Sequence, residues 1–82
     1  IMDIETLAFE FIKYTLNLDK TILENRYKIE ATDDPLEVME SIARKRGAIL
    51  RGAEVDYNKV SSIILDEFRK GILGRITLEK ND

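Results

Sequence analysis

The chain has 82 residues, with 13 basic and 16 acidic side chains and a net charge of −3. It contains no Cys, His or Trp, which excludes a disulfide scaffold, a zinc site with thiolate or imidazole ligands, and catalysis by a histidine base. Because 44% of the residues are hydrophobic but no long apolar run occurs, we expect residues 1–82 to form one small folded domain that does not span a membrane.

Two amphipathic helices are predicted in the first third of the chain. Residues 4–16 carry apolar side chains at helical i, i+3, i+4 and i+7 spacing, and Asp3 lies where an N-cap is expected. Residues 17–20 have the composition of a turn. Thr21 is the predicted N-cap of a short second helix that ends near Lys28, with Glu24 as its capping-box partner.

The third helix has clear signals at both ends. Asp34 precedes Pro35, which places an acidic N-cap before a proline at the first helical position, where the missing N–H costs nothing. The apolar stripe continues into a basic last turn, and Gly47 follows as the helix stop. The predicted buried residues of this helix are Leu36, Met39, Ile42 and Ala43.

A fourth helix is predicted over residues 57–69, after a connector of residues 48–55. Asp56 is its expected N-cap and Gly71 its stop. Its expected inward face consists of Val60, Ile63, Ile64 and Phe68. The pattern indicates an all-α fold: a small bundle of about four helices with an ordered C-terminal tail, residues 72–82, and room for one extended segment across it.

Charge is divided unevenly along the chain. Residues 1–40 contain 4 basic and 10 acidic side chains, a net charge of −6, whereas residues 41–82 contain 9 basic and 6 acidic ones, a net charge of +3. Between Arg44 and Arg75 the excess is +4. Such a division is typical of a protein whose basic end binds an anionic partner, although ordinary surface charge would produce it too.

Glycines accompany the basic residues of the second half. Phosphate binding needs cations on one side and glycines that let the backbone approach, so Gly47, Gly52, Gly71 and Gly74 are compatible with nucleic-acid binding. The alternative interpretation is that these glycines end helices and that the cations lie at solvated helix ends.

Catalysis by this chain alone is not indicated. Glu37 and Glu40 share a helix face at i, i+3 spacing and could bind a hard cation or act as an acid–base pair. Their positions are better explained by the helix dipole and by an i, i+4 ion pair between Glu40 and Arg44. The sequence has no Gly-Lys-Ser/Thr loop for nucleotide phosphates.

Several short motifs occur here in a familiar combination. They are Arg26-Tyr27 after Leu23, the helix over residues 36–42, Arg44-Lys45-Arg46-Gly47, Gly52, Asp56, and the run from Phe68 to Glu79 with its Gly-x-Leu-Gly-Arg-x-Thr-x-Glu pattern. Together they resemble the C-terminal domain of the ribosome biogenesis GTPase A family, which are circularly permuted GTPases of large-subunit assembly. The chain departs from the family pattern at Ala43, Ala53 and Ile72.

The resemblance implies a parent protein with two domains. An upstream GTPase domain would bind GTP and Mg²⁺, and this helical domain, without a cofactor of its own, would help to dock the protein on ribosomal RNA of the large (50S) subunit precursor. The start of the chain at Ile1, before Met2, agrees with an upstream domain. The family also implies a cytoplasmic location.

From the pattern and the resemblance we expect RNA phosphate contacts from cations of the second half, with backbone access at two glycines. The predicted contacts are Lys45, Arg46, Arg51, Lys59, Arg69 and Arg75, and the glycines are Gly47 and Gly71. Such contacts position a protein without reading sequence, so we expect recognition of structured RNA by shape. The competing hypothesis is a protein-docking module that packs on its own GTPase domain or on a second copy, motivated by the acidic first helix and the small core.

Overall fold

In a computed structural model of the chain, residues 3–71 are described, and they form the predicted all-α bundle. The helices are α1 (Ile4–Asp19), α2 (Thr21–Tyr27), α3 (Pro35–Arg46) and α4 (Tyr57–Arg69), and a 3₁₀ turn, Arg51–Ala53, lies between α3 and α4. The predicted tail, residues 72–82, lies outside the described residues. Across residues 3–71, every helix is too short or too polar to cross a lipid bilayer.

Three helices begin at the aspartates that the sequence predicts as N-caps. Oδ1 of Asp3, Asp34 and Asp56 accepts from the backbone N–H of Thr6 at 2.8 Å, Leu36 at 3.0 Å and Lys59 at 3.0 Å, respectively. Each carboxylate pairs one of the N–H groups that a helix leaves free at its start, and each lies at the positive end of a helix dipole. The boundaries of α3 and α4 are confirmed for this reason.

The junction between α1 and α2 differs from the prediction. α1 continues to Asp19 instead of ending at residue 16, and only Lys20, with helical φ −67° and ψ −17°, separates it from α2. Oδ1 of Asp19 accepts from both the N–H and the hydroxyl of Thr21, at 3.0 and 2.7 Å. The prediction of Thr21 as the cap is wrong, because a carboxylate two residues earlier is the stronger acceptor and uses the hydroxyl as a donor.

The core lies where α1 packs along α4 and α3. Its largest fully buried apolar side chains are Phe11, Ile12, Leu23, Val38, Ile42, Val60 and Ile64. The rings of Phe11 and Phe68 extend the core toward the end of α4, with centroids 4.5 Å apart and planes tilted by 47°.

Two predicted core positions are wrong. On α3, Val38 is 1% exposed while Leu36 is 43% exposed, because the buried face is centred further along the helix and Leu36 lies in the first turn. On α4, Ile63 is only half-buried, and Ser61 and Glu67 are buried instead. A buried glutamate requires internal partners for its charge.

The connector between α3 and α4 is a short hairpin-like turn. Its backbone contacts are an antiparallel bridge between Ile49 and Val55, a bond from Leu50 N to Glu54 O at 2.6 Å, and one from Asp56 N to Ala48 O at 2.8 Å. Because Asp56 is also the cap of α4, these contacts fix the start of α4 beside the end of α3.

Candidate nucleic-acid interface

A buried carboxylate joins the ends of α2, α3 and α4. Glu67, in the last turn of α4, is 8% exposed. Arg26 donates to it through Nε at 3.2 Å and through Nη2 at 3.0 Å. The Tyr27 hydroxyl donates to Oε1 at 2.7 Å, and Arg46 Nη1 donates to Oε2 at 2.8 Å. Both carboxylate oxygens are therefore paired, and three helices meet at one side chain.

These contacts shift the ionisation of Glu67 and its partners. Burial disfavours the charged carboxylate, but the hydrogen bonds from Arg26, Tyr27 and Arg46 together outweigh it and lower the pKa of Glu67 to about 2. For the phenol the two influences act in the same direction, since burial and donation to Glu67 both raise the pKa of Tyr27. At neutral pH, Glu67 is consequently an anion that accepts from a protonated tyrosine and two guanidinium groups.

Arg46, a predicted phosphate contact, belongs to this internal cluster. Besides its bond to Glu67, its guanidinium lies over the Tyr27 ring, 4.8 Å from the centroid. Because Arg46 is paired at 2.8 Å with the Glu67 carboxylate, which it shares with Arg26, it attracts an external phosphate less than an unpaired cation would. The cluster also explains why Arg26 and Tyr27 occur as a pair, since both side chains donate to the same carboxylate.

Three other predicted contacts are exposed and uncompensated. Lys45, in the last turn of α3, Arg51, in the 3₁₀ turn, and Lys59, in the first turn of α4, are all exposed. Within residues 3–71, none of the three forms an ion pair. Their charges are consequently available to an anionic partner.

The cations that end α4 have an acidic neighbour. Arg69 is 77% exposed, and its Nη2 lies 3.8 Å from Asp66 Oδ1. Lys70 Nζ lies 3.0 Å from the other oxygen of Asp66, four residues earlier on the same helix. The remaining predicted contact, Arg75, lies outside the described residues.

Both predicted glycines lie at helix ends. Gly47 is the C-cap of α3, and its N–H donates to Ala43 O. Gly71 follows α4, and its N–H donates to Phe68 O at 3.1 Å. This is the geometry of helix stops, and both glycines are exposed. Access of a phosphate to the backbone at these positions stays a prediction.

The predicted cations do not all lie at one point. Lys59 and Arg69 are ten residues apart on α4, which is about 15 Å along the helix axis. A single phosphate group could not contact both. The arrangement instead fits an extended polyanion that runs along the domain.

A basic groove lies between the α2–α3 connection and α3, and sequence reasoning missed it. It has a volume of about 480 Å³ and is lined by Lys28, Ile29, Glu30, Ser41, Arg44 and Lys45. Only Lys45 among these is a predicted contact. The i, i+3, i+4 spacing of Ser41, Arg44 and Lys45 is a signal that could have indicated one wall. The position of Lys28 opposite them depends on how α2 packs.

The acidic residues do not form a metal site in the part of the chain that the structure covers. There, no group of three or more His, Cys, Asp or Glu side chains is suited to a metal ion. Glu40 accepts from the Tyr57 hydroxyl at 2.6 Å, and this bond raises the pKa of Tyr57. The predicted ion pair of Glu40 with Arg44 does not occur among residues 3–71, since Glu40 binds α4 instead.

Known proteins similar to this chain belong to two named groups. Ribosome biogenesis GTPase A of Bacillus cereus is 30% identical, and that of Priestia megaterium is 26% identical, each over 80 residues that cover 96% of this chain. Nucleolar GTP-binding protein 2 of Kluyveromyces lactis is 43% identical over 49 residues, which cover 60% of this chain. No family model matches the sequence.

The chain spans only a small part of these relatives. It covers 27% and 28% of the two ribosome biogenesis GTPases A and 10% of the nucleolar GTP-binding protein. The similarity therefore extends over almost all of this chain but over about a quarter of the bacterial proteins, which is consistent with one domain of a larger protein.

Proposed function

The chain is a homologue of the ribosome biogenesis GTPases A, as its motifs indicate, and we propose that it is the C-terminal RNA-binding domain of a ribosome-assembly GTPase. In this proposal the domain docks its parent protein on ribosomal RNA of the large (50S) subunit precursor in the cytoplasm. A GTPase domain upstream in the parent protein binds GTP and Mg²⁺ and hydrolyses the nucleotide, while this domain determines where the protein binds.

The observation that carries the proposal is the set of uncompensated cations on the surface. Lys45, Arg51 and Lys59 are exposed and form no ion pair within residues 3–71. Because they belong to three different elements, they offer separate points of contact to the phosphates of a folded RNA. Such contacts favour recognition of RNA shape over base sequence.

Salt-dependent binding to RNA tests this proposal. We expect the 82-residue chain to bind large-subunit ribosomal RNA with a log–log salt slope of about −3 to −5, which corresponds to about four to six phosphates neutralised. The affinity is measured by filter binding or fluorescence anisotropy at salt concentrations between roughly 50 and 300 mM, because phosphate contacts weaken steeply in this range.

A pair of matched double variants identifies the cations responsible. Lys45→Gln with Lys59→Gln removes two uncompensated charges and is expected to reduce the slope by about 1.5. Lys13→Gln with Lys20→Gln removes two charges from the acidic half and is the control; of these two lysines, Lys20 is paired with Asp33 at 2.9 Å. Arg46 is unsuitable for this purpose, because its substitution would remove one hydrogen-bond donor from the buried carboxylate of Glu67. Binding that ignores salt, or equal slopes for both double variants, would contradict RNA docking.

The second candidate function is docking on the GTPase domain of the same protein. Its support is an apolar groove of about 270 Å³ between α1 and α4, lined by Ile4, Leu7, Phe11, Leu65, Phe68 and Arg69. Ile4 and Leu7 are 37% and 41% exposed, as expected of a surface that a partner covers. Sedimentation of the chain alone and with the GTPase domain distinguishes the two functions. A tight protein complex without RNA affinity would favour docking.

A further inference from the structure

The cations near the last turn of α4 are already paired with acidic side chains, two cations to each carboxylate. Glu67 and Asp66 provide the carboxylates, and the cations they hold are Arg26, Arg46, Arg69 and Lys70. The two pairs with Glu67 are short, at 3.0 and 2.8 Å, and their carboxylate is buried. An external phosphate would have to compete with these carboxylates for the same donors.

A second set of cations, at the ends of α2 and α3, has no such compensation. Lys28, Arg44 and Lys45 are exposed and form no ion pair with any residue from 3 to 71. All three line the basic groove described above, together with Ser41 and Glu30. We call it the Lys28 groove. With one acidic side chain against three cations, its lining has a net charge of +2.

The wall that carries Lys28 is held in place by one glutamate. Lys28 has left-handed backbone angles, φ 57° and ψ 50°, and its N–H donates to Glu24 O at 2.8 Å. The N–H of Ile29 donates to the same oxygen at 3.3 Å, and the N–H of Ala31 donates to Glu24 Oε2 at 2.9 Å. These three bonds fix the chain on both sides of Lys28, so little backbone entropy is lost when a ligand binds there.

The opposite wall presents three donors from one helix face. Ser41, Arg44 and Lys45 have i, i+3 and i+4 spacing in the last two turns of α3. They contribute a hydroxyl, a guanidinium fork and an ammonium group, which are the donors that bind phosphate oxygens in proteins. A lining of this kind differs from the mainly apolar lining of a small-molecule pocket.

We propose that the Lys28 groove binds the phosphodiester backbone of RNA, with Lys28 and Arg44 as contacts in addition to Lys45. This inference rests on the proposed function and names where on the domain the RNA backbone lies. A groove of about 480 Å³ open to solvent admits a stretch of backbone, whereas the arginines around Glu67 are already paired with a buried carboxylate.

Single charge removals in the full 82-residue chain test the groove. Lys28→Gln and Arg44→Gln are each expected to weaken binding to large-subunit ribosomal RNA about threefold or more and to reduce the salt slope by about 0.7 to 0.9. Lys13→Gln is the matched control, because it removes one exposed cation from α1, away from the groove. Urea unfolding of each variant checks that stability is unchanged.

The outcomes separate the groove from the wider proposal. If the chain binds RNA with a steep salt slope but Lys28→Gln behaves like Lys13→Gln, the groove assignment is overturned and RNA docking stands. If the chain does not bind RNA at all, the groove assignment and the proposed RNA docking are both overturned. A third arm adds inorganic phosphate and follows the amide signals of Ile29 and Ser41 by NMR. Phosphate binding there, with RNA affinity unchanged in Lys28→Gln, would assign the groove to a small anion and overturn the inference.

Discussion

The side chain of Glu67 determines which basic residues of this domain are available to a partner. It accepts from Arg26, Tyr27 and Arg46 while being almost completely buried. A buried carboxylate with paired oxygens holds its arginines in fixed geometry, so their guanidinium groups support the fold. A single carboxylate therefore separates the arginines that stabilise the fold from the cations that remain available to a partner.

Replacement of the carboxylate tests its structural role. Glu67→Gln keeps the size of the side chain but removes the charge, so Arg26 and Arg46 lose a charged acceptor at a buried site. We expect the free energy of unfolding to fall by about 2 to 3 kcal/mol, from the loss of charge-assisted hydrogen bonds. Urea denaturation followed by circular dichroism at pH 7 measures the change.

Glu10→Gln is the control for this substitution. Glu10 is exposed on α1 and forms no ion pair within the described part of the chain. Its substitution should therefore leave the free energy of unfolding almost unchanged. Equal stability of the two variants would show that the Glu67 cluster contributes nothing to the fold.

At the scale of elements, the connector between α3 and α4 turns on two adjacent residues in left-handed conformation. Gly52 has φ +79° and Ala53 has φ +64°. Only glycine adopts this region without cost, so Ala53 carries backbone strain that Gly52 does not. Ala53 N still donates to Leu50 O at 3.1 Å, which shows that the turn holds this geometry.

Exchange of side chains at these two positions should change stability in opposite directions. Ala53→Gly relieves the strain and is expected to raise the free energy of unfolding by about 0.5 kcal/mol, since the gain is partly offset by the freer unfolded chain. Gly52→Ala is expected to lower it by about 1 kcal/mol, although a Cβ there would meet no atom within 4 Å. Paired urea titrations measure both, and changes of the same sign would refute the strain argument.

At the scale of the whole molecule, the charge pattern links stability to pH. The pKa of Glu67 is about 2 in the folded protein, against an ordinary value near 4.5. Between these values the folded state binds fewer protons than the unfolded chain, so the stabilisation from Glu67 is complete above about pH 5 and is lost as the pH falls toward 2. Hydrogen bonds from Thr6 and Thr21 lower the pKa of Asp3 and Asp19 in the same direction.

A comparison of two proteins isolates the contribution of Glu67 to acid sensitivity. The difference in unfolding free energy between the unmodified chain and Glu67→Gln should be largest near pH 7 and should shrink as the pH falls from about 5 to about 2.5. The effects of Asp3 and Asp19 are common to both and cancel. Parallel pH profiles, measured by urea denaturation at several pH values, would contradict the linkage.

Features that depend on neighbours along the chain can be read from the amino-acid sequence. The caps Asp3, Asp34 and Asp56 and the all-α class follow from signals within four residues of each other, and the family follows from short motifs. Which cations are free, by contrast, depends on how the helices pack in space. The bond of Arg26 to Glu67 joins residues 41 apart, and Lys28 and Arg44 line the same groove although they are 16 residues apart in the chain. Charge compensation depends on distance in space, and no periodicity along the chain encodes that distance.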